Sequence, residues 1–140
     1  MKRGEVLYSP RFEFKDGGQS PKLFIVLNDP TQTNPALVVR TTSQSKGRRL
    51  SPGCFANEGY FVLLAGQDWF RETTWIILEV YEYDFKKELA EHFQGNLATK
   101  GSLNEETVRA IVNCLKRTED VTPYHLSVLA KSKKLAKEFR

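Results

Sequence analysis

Two apolar runs on either side of a polar bend, between Lys22 and Ser43, constrain this chain more than any other stretch. The first reads K-L-F-I-V-L-N-D and is apolar at every position from Leu23 to Leu27; the second reads A-L-V-V-R-T-T-S and is apolar from Ala36 to Val39. Short, β-branched, uninterrupted runs bounded by turn residues predict strands covered on both faces. Asn28, Asp29, Pro30 and Pro35 lie between them and favour a bend over a continued strand. The pattern predicts two adjacent central strands. The second leaves the core through Arg40-Thr41-Thr42-Ser43, a cluster of hydrogen-bonding groups at a strand exit. Such an exit is either a polar strand end facing water or the rim of a binding or catalytic site.

The chain of 140 residues fits one domain with at most an appendage, and can bury a core without staples. Its net charge of +4 is unevenly placed. Residues 1–120 balance, and the excess lies in 121–140, where Lys131, Lys133, Lys134, Lys137 and Arg140 face only Glu138. Within the body, residues 1–49 carry 9 basic and 4 acidic groups. That half suits a phosphate backbone or is an ordinary mixed surface. The 2 cysteines, Cys54 and Cys114, show no metal-ligand spacing, and there is no signal peptide or long apolar span. The expectation is a cytoplasmic chain with free thiols and no membrane association. His92 and His125 are too far apart in sequence to suggest a His-based metal site, and no metal or cofactor is expected.

Along the chain, Gly4 to Ser9 predicts a first strand, and the alternating Arg11 to Lys15 a strand edge or loop arm. Asp16-Gly17-Gly18 is a turn signal. Gln44 to Asn57, rich in Ser, Gly and Arg, reads as a long loop of the functional or mobile kind. Its Lys46, Arg48 and Arg49 would suit phosphate contacts or remain solvated. Gly59 to Leu64 is another apolar strand, followed by Trp69 and Phe70 as core or lid aromatics. Thr73 to Tyr83 is the longest strand candidate; it would place Glu79 on one face with Trp75, Ile77, Tyr81 and Tyr83. Asp84 to Phe93 predicts a short helix or irregular crossing, and Gly95 to Gly101 a break. A helix follows, with Ser102 as N-cap, Glu105 completing a capping box, and Val108, Ile111, Val112 and Leu115 on one stripe. Cys114 beside that stripe reads as packing. Thr122-Pro123 predicts the N-cap and N1 of a last helix. Its stripe, from Leu126 and Leu129 to Leu135, Ala136 and Phe139, is partial, and its Lys-rich face is a solvated helix, a frayed tail or an arm for an acidic partner.

The order of these pieces resembles the MazF/Kid/PemK family of toxins. The matching pieces are Arg3-Gly4-Glu5-Val6, Asp16-Gly17-Gly18, Pro21-Lys22 leading into Leu23 to Leu27, Thr42-Ser43 at the end of the third strand, Trp75-Ile76-Ile77-Leu78-Glu79, and Gly101-Ser102-Leu103 through Leu115. The resemblance covers residues 3–117. It implies a mainly β chain with C-terminal helices: an SH3-like β-barrel domain over 1–117, with 118–140 a basic helical extension or tail. It further implies a homodimeric, metal-independent endoribonuclease of a type II toxin–antitoxin system, cutting single-stranded RNA and silenced by an antitoxin peptide.

Cleavage through the ribose 2′-OH needs a base, an acid for the leaving 5′-oxygen and a cation for the phosphorane. The resemblance assigns Glu79 to acid–base work and Thr42 and Ser43 to the scissile phosphate. Lys22, Arg40, Thr41, Arg48 and Arg49 would bind RNA, with Arg40, Arg48, Arg49 or Arg71 as source of the stabilising cation. The chain departs from the family where an Arg is expected two residues before the acid: Ile77 stands there. Lys22-Leu23 replaces the Arg-Pro that tends to precede the second strand, keeping the charge but not the bidentate fork. The alternative is a barrel without catalysis that binds RNA or a partner's peptide. A gyrase-type poison on the same fold fits the polar C-terminus least.

Overall fold

The computed structural model describes residues 1–84, 86, 87, 90, 91 and 95–138, with the backbone alone for 132–138. His92, much of the 84–93 crossing, Phe139, and the side chains of Leu135 and Ala136 lie outside the described residues. The elements are β1 (Glu5–Glu13), β2 (Gln19–Val26), β3 (Ala36–Thr42), β4 (Gly53–Phe55), a 3-10 turn (Ala56–Glu58), β5 (Tyr60–Leu63), β6 (Thr74–Ile77), β7 (Tyr81–Tyr83), β8 (Ala98–Ser102), α1 (Glu105–Leu115) and α2 (Pro123–Glu138). The strands form one 8-stranded sheet in the order β4-β5-β6-β3-β2-β1-β8, with β7 also paired to β3. Every pairing is antiparallel, and the two end strands, β4 and β8, do not pair with each other. The protein is therefore mainly β, with two C-terminal helices and a sheet that is not closed. Among the described residues no helix is long and apolar enough to cross a membrane.

The central pair is as its sequence predicts. β2 and β3 are neighbours, with Phe24 opposite Arg40, Ile25 opposite Val39 and Val26 opposite Val38. Strand alternation sends Ile25, Leu27, Leu37 and Val39 into the main core and Phe24, Val26, Ala36 and Val38 into a second cluster on the other face. Both faces are covered, which is why neither run needs a polar residue. The main core also takes Val6, Ile76 and the α1 stripe of Val108, Ile111, Val112 and Leu115. Burying each such side chain contributes about 1.5–3 kcal/mol before chain entropy is charged against it. The bend closes on Asn28, itself buried, whose amide donates to the Pro35 carbonyl at 3.0 Å and accepts from Leu37 N–H at 2.7 Å.

Several expectations change. Of the two alternatives for Arg11 to Lys15, the strand holds as far as Glu13: β1 runs on past an irregularity between Ser9 and Phe12. The stretch 95–101 is not simply a break: β8 begins at Ala98 and pairs with β1. Ser102 therefore ends a strand opposite Glu5 and cannot cap α1, whose N-cap is Asn104 without a side-chain cap bond. Asp68 supplies the missing acceptor from a distant loop, taking Asn104 N–H at 3.1 Å and the Thr107 hydroxyl at 2.6 Å. The 44–57 loop contains β4 and the 3-10 turn.

The expected single strand over Thr73 to Tyr83 is two strands. β6 pairs Ile76 with Thr41, and β7 pairs Tyr81 with Val38, so Ile77 to Val80 span only Val39 and Arg40 on β3. The freed backbone donors all find acceptors: Leu78 N–H on Gly59 O, Glu79 N–H on Ile77 O, and Val80 N–H on the Asp120 carboxylate.

The free-thiol expectation is wrong. Cys54 on β4 and Cys114 on α1 form a disulfide with Cα atoms 5.6 Å apart. Their spacing in sequence, 60 residues, gave no hint that the helix would cross the short edge strand. Bridges of this kind persist in oxidising surroundings, so cysteine usage no longer argues for the cytoplasm.

The last helix starts where Thr122-Pro123 predicts. The Thr122 hydroxyl accepts from His125 N–H at 3.1 Å, and His125 Nδ1 accepts from Thr122 N–H at 3.2 Å, a capping box with imidazole in place of a carboxylate. Since Nδ1 accepts, Nε2 carries the proton that meets Glu82 at 2.9 Å. The buried side of α2 is His125, Val128 and Leu129; Leu126 is 40 % exposed.

Candidate functional site

A cleft of about 740 Å³ opens where β2 begins, β3 ends and β6 begins. Lys22, and the Thr41, Thr42 and Ser43 expected at a strand exit, all line it, whereas Arg40 of that exit does not. Thr41 is buried, and its hydroxyl donates to Leu23 O at 2.9 Å, so it holds the strand end together. Thr42 Oγ1 accepts from Gln44 N–H at 3.2 Å, which turns the chain and leaves the hydroxyl proton for a ligand. Trp69, Arg71 and Glu72 from the loop before β6 also line it, as does Lys100 from β8. Three cations and one carboxylate thus line the cleft.

Lys22 feels its neighbours. Its pKa is lowered from the ordinary 10.5, first by burial and then by the charges of Arg40, Lys46 and Arg48. A cation held among cations gains when an anion enters. Lys100 Nζ lies 5.8 Å from the Tyr8 ring centre, and Arg71 is exposed with no ion pair among the described residues.

The other expected residues are placed elsewhere. Arg40 and Glu79 do not line the cleft; they meet beside it, Nη2 to Oε2 at 3.7 Å, because the extra residues of the β6–β7 junction turn Glu79 toward β3. The Arg40 guanidinium lies over Phe14 at 5.1 Å, its Nε is buried without a partner, and the Tyr81 hydroxyl donates to Glu79 at 3.3 Å. Arg48 folds back onto Gln44 O at 3.1 Å. Arg49 is bound to Glu58 at 2.9 Å, lies over Phe55, and donates its N–H to the Tyr60 hydroxyl. Glu58 is held below the ordinary carboxylate range, first by the Tyr60 hydroxyl and then by Arg49. Arg49 thus pins the loop, and Trp75 Nε1 donating to Arg49 O at 2.8 Å secures it further.

Lys100 was invisible in the sequence because nothing local marked 98–102 as a strand; only pairing with β1 brings it to the cleft. Trp69, expected as a core or lid aromatic, is exposed at the cleft, and its place follows from the Asp68 anchor. Neither a protein-family model nor a curated protein matches the chain. The resemblance to MazF/Kid/PemK toxins rests on motif order alone.

Proposed function

We propose that this chain binds single-stranded RNA across the cleft at the ends of β2, β3 and β6. One observation carries the reading: Lys22, Arg71 and Lys100 converge with the hydroxyls of Thr42 and Ser43 on a cleft walled by an exposed indole. Cations and hydroxyls take phosphates, and an aromatic face takes an unpaired base. Fluorescence anisotropy with a labelled single-stranded RNA tests it across salt concentrations. If each of the three cations neutralises one phosphate, log K falls with log salt at a slope of about −2, and K100A lowers the slope by about 0.7. Affinity that ignores salt, or a preference for duplex, overturns the reading.

A second reading, cleavage, is favoured by the Arg40–Glu79 pair. Across the β6–β7 junction Arg40 supplies the cation that Ile77 does not, beside an acid, and Arg40 shares a sheet face with Thr42 on β3 and Lys22 on β2. Glu79 would take the 2′-OH proton as the 2′-oxygen attacks phosphorus, Arg40 would offset phosphorane charge, and the P–O5′ bond would break with water giving the leaving 5′-oxygen its proton. On this reading the sheet is an SH3-like barrel of the MazF type, the chain is a cytoplasmic homodimer, and an antitoxin peptide silences it. Metal-free RNA cleavage leaving a 2′,3′-cyclic phosphate supports it. Equal cleavage by wild type and T42A/E79A sinks it and leaves RNA binding standing.

A further inference from the structure

Trp69 is unusual among the large side chains in being both fixed and exposed. Its backbone is pinned from two sides. Asp68 accepts from Trp69 N–H at 2.7 Å while also holding Asn104 and Thr107 at the start of α1. The next residue, Phe70, is buried in the main core, with its ring edge-on to the indole at 5.1 Å. Gly66 N–H closes the loop on Phe70 O at 2.9 Å.

The indole itself rests on β8. A Cβ at Gly101 would stand 2.1 Å from Trp69 Nε1, 2.5 Å from Cδ1 and 2.6 Å from Cε2. The near equality of these distances puts that point over the ring face. An approach along the N–H would leave both carbons much farther away than the nitrogen. One face of Trp69 therefore packs flat on bare backbone, which only glycine allows here. The remaining surface, with the residue 36 % exposed, lines the cleft beside Lys22 and Lys100.

We infer that Trp69 is a stacking platform for one unpaired base, that Gly101 positions it, and that Lys22 and Lys100 take the flanking phosphates. This rests on the RNA-binding reading and adds that recognition is base-dependent but tolerant of base identity, because every base offers a π-face. A preorganised ring loses little rotamer freedom on binding, so the contact is stronger than that of a mobile aromatic.

The test uses the whole chain and a short oligouridylate, with an otherwise identical abasic oligonucleotide as second probe. Of the two tryptophans, Trp75 is buried and hydrogen-bonded to Arg49 O, so ligand-dependent quenching reports Trp69. The expected result is quenching in the wild type, roughly tenfold weaker binding by W69A, and near-wild-type binding by W69F. G101A, which retains all the charges, behaves like W69A even where its thermal unfolding matches wild type. The abasic probe binds wild type and W69A equally. Equal oligouridylate affinity of wild type and W69A overturns the stacking inference and spares RNA binding; so does a W69A deficit that persists on the abasic probe. No oligouridylate binding by the wild type removes both.

Discussion

Opening the Cys54–Cys114 bridge lowers stability by about 4 kcal/mol. The bridge closes a loop of 60 residues, and the chain-entropy relation gives about 14 cal/mol/K for such a closure, or about 4 kcal/mol at room temperature. The entropy of unfolding of a chain this long is about 0.3 kcal/mol/K, so the midpoint should fall by about 14 °C. The assay is urea and thermal unfolding of one preparation, oxidised and thiol-reduced, followed by circular dichroism. Reduced wild type is the better comparison than an alanine pair, because Cys114 is buried and truncation there adds a cavity cost unrelated to the bridge. Mass spectrometry without reductant should find neither cysteine open to alkylation in the native protein. Midpoints within about 3 °C of each other would refute the reasoning, either because β4 and α1 do not trap the bridge or because the unfolded chain is already confined.

Asp68→Ala removes three contacts at once, from Trp69 N–H, Asn104 N–H and the Thr107 hydroxyl. It should cost about 1–2 kcal/mol in urea unfolding, the size of a lost N-cap, with Asp68→Asn recovering part of it. RNA affinity should depend on pH through Lys22. Its folded pKa lies below 10.5, chiefly through burial and then Arg40, Lys46 and Arg48. Between the two values the unfolded chain binds more protons, so stability from this group rises with pH, while affinity for an anion falls as the cation is lost. Anisotropy titrations should show weakening below the ordinary lysine range, and K22R should move the loss to higher pH.

What could be read from sequence follows contact range. The Leu23–Leu27 and Ala36–Val39 runs, the Asp16-Gly17-Gly18 turn and the Val108–Leu115 stripe state their own structure in their periodicity. Thr122-Pro123 states its own cap. The failures all need a partner from far along the chain. Ser102 carries the better local capping signal, but pairing with Glu5 claims it and a carboxylate 36 residues from Asn104 caps the helix instead. Lys100 and Gly101 look like a break until β1 lies beside them. Cys54 and Cys114 look like two unrelated packing residues until α1 crosses β4. At the cleft, Thr41 to Ser43 were legible because a polar cluster at a strand exit is a local pattern, and Lys22, Trp69 and Arg71 stood out singly; Lys100 did not, because only the pairing of β8 with β1 brings it there.

The β6–β7 junction separates the two functional readings physically. With an unbroken strand, Glu79 would sit in register among the aromatics of one face, and Ile77 would leave it without a cation. The extra residues instead turn Glu79 to Arg40, whose own charge is engaged by that carboxylate and by the Phe14 ring. Lys22, Arg71 and Lys100 line the cleft and form no ion pair among the described residues, Lys100 lying over the Tyr8 ring. Lys22 links the two regions: it lines the cleft, and its pKa is lowered by burial and then by the charge of Arg40. Neutralising Lys22 therefore has to weaken binding whichever reading holds. Neutralising Glu79 frees Arg40 to meet a phosphate, so it has to abolish cleavage while leaving binding intact or strengthened. A Glu79→Gln variant that loses binding would mean that the pair is part of the cleft's architecture and not a chemical group beside it.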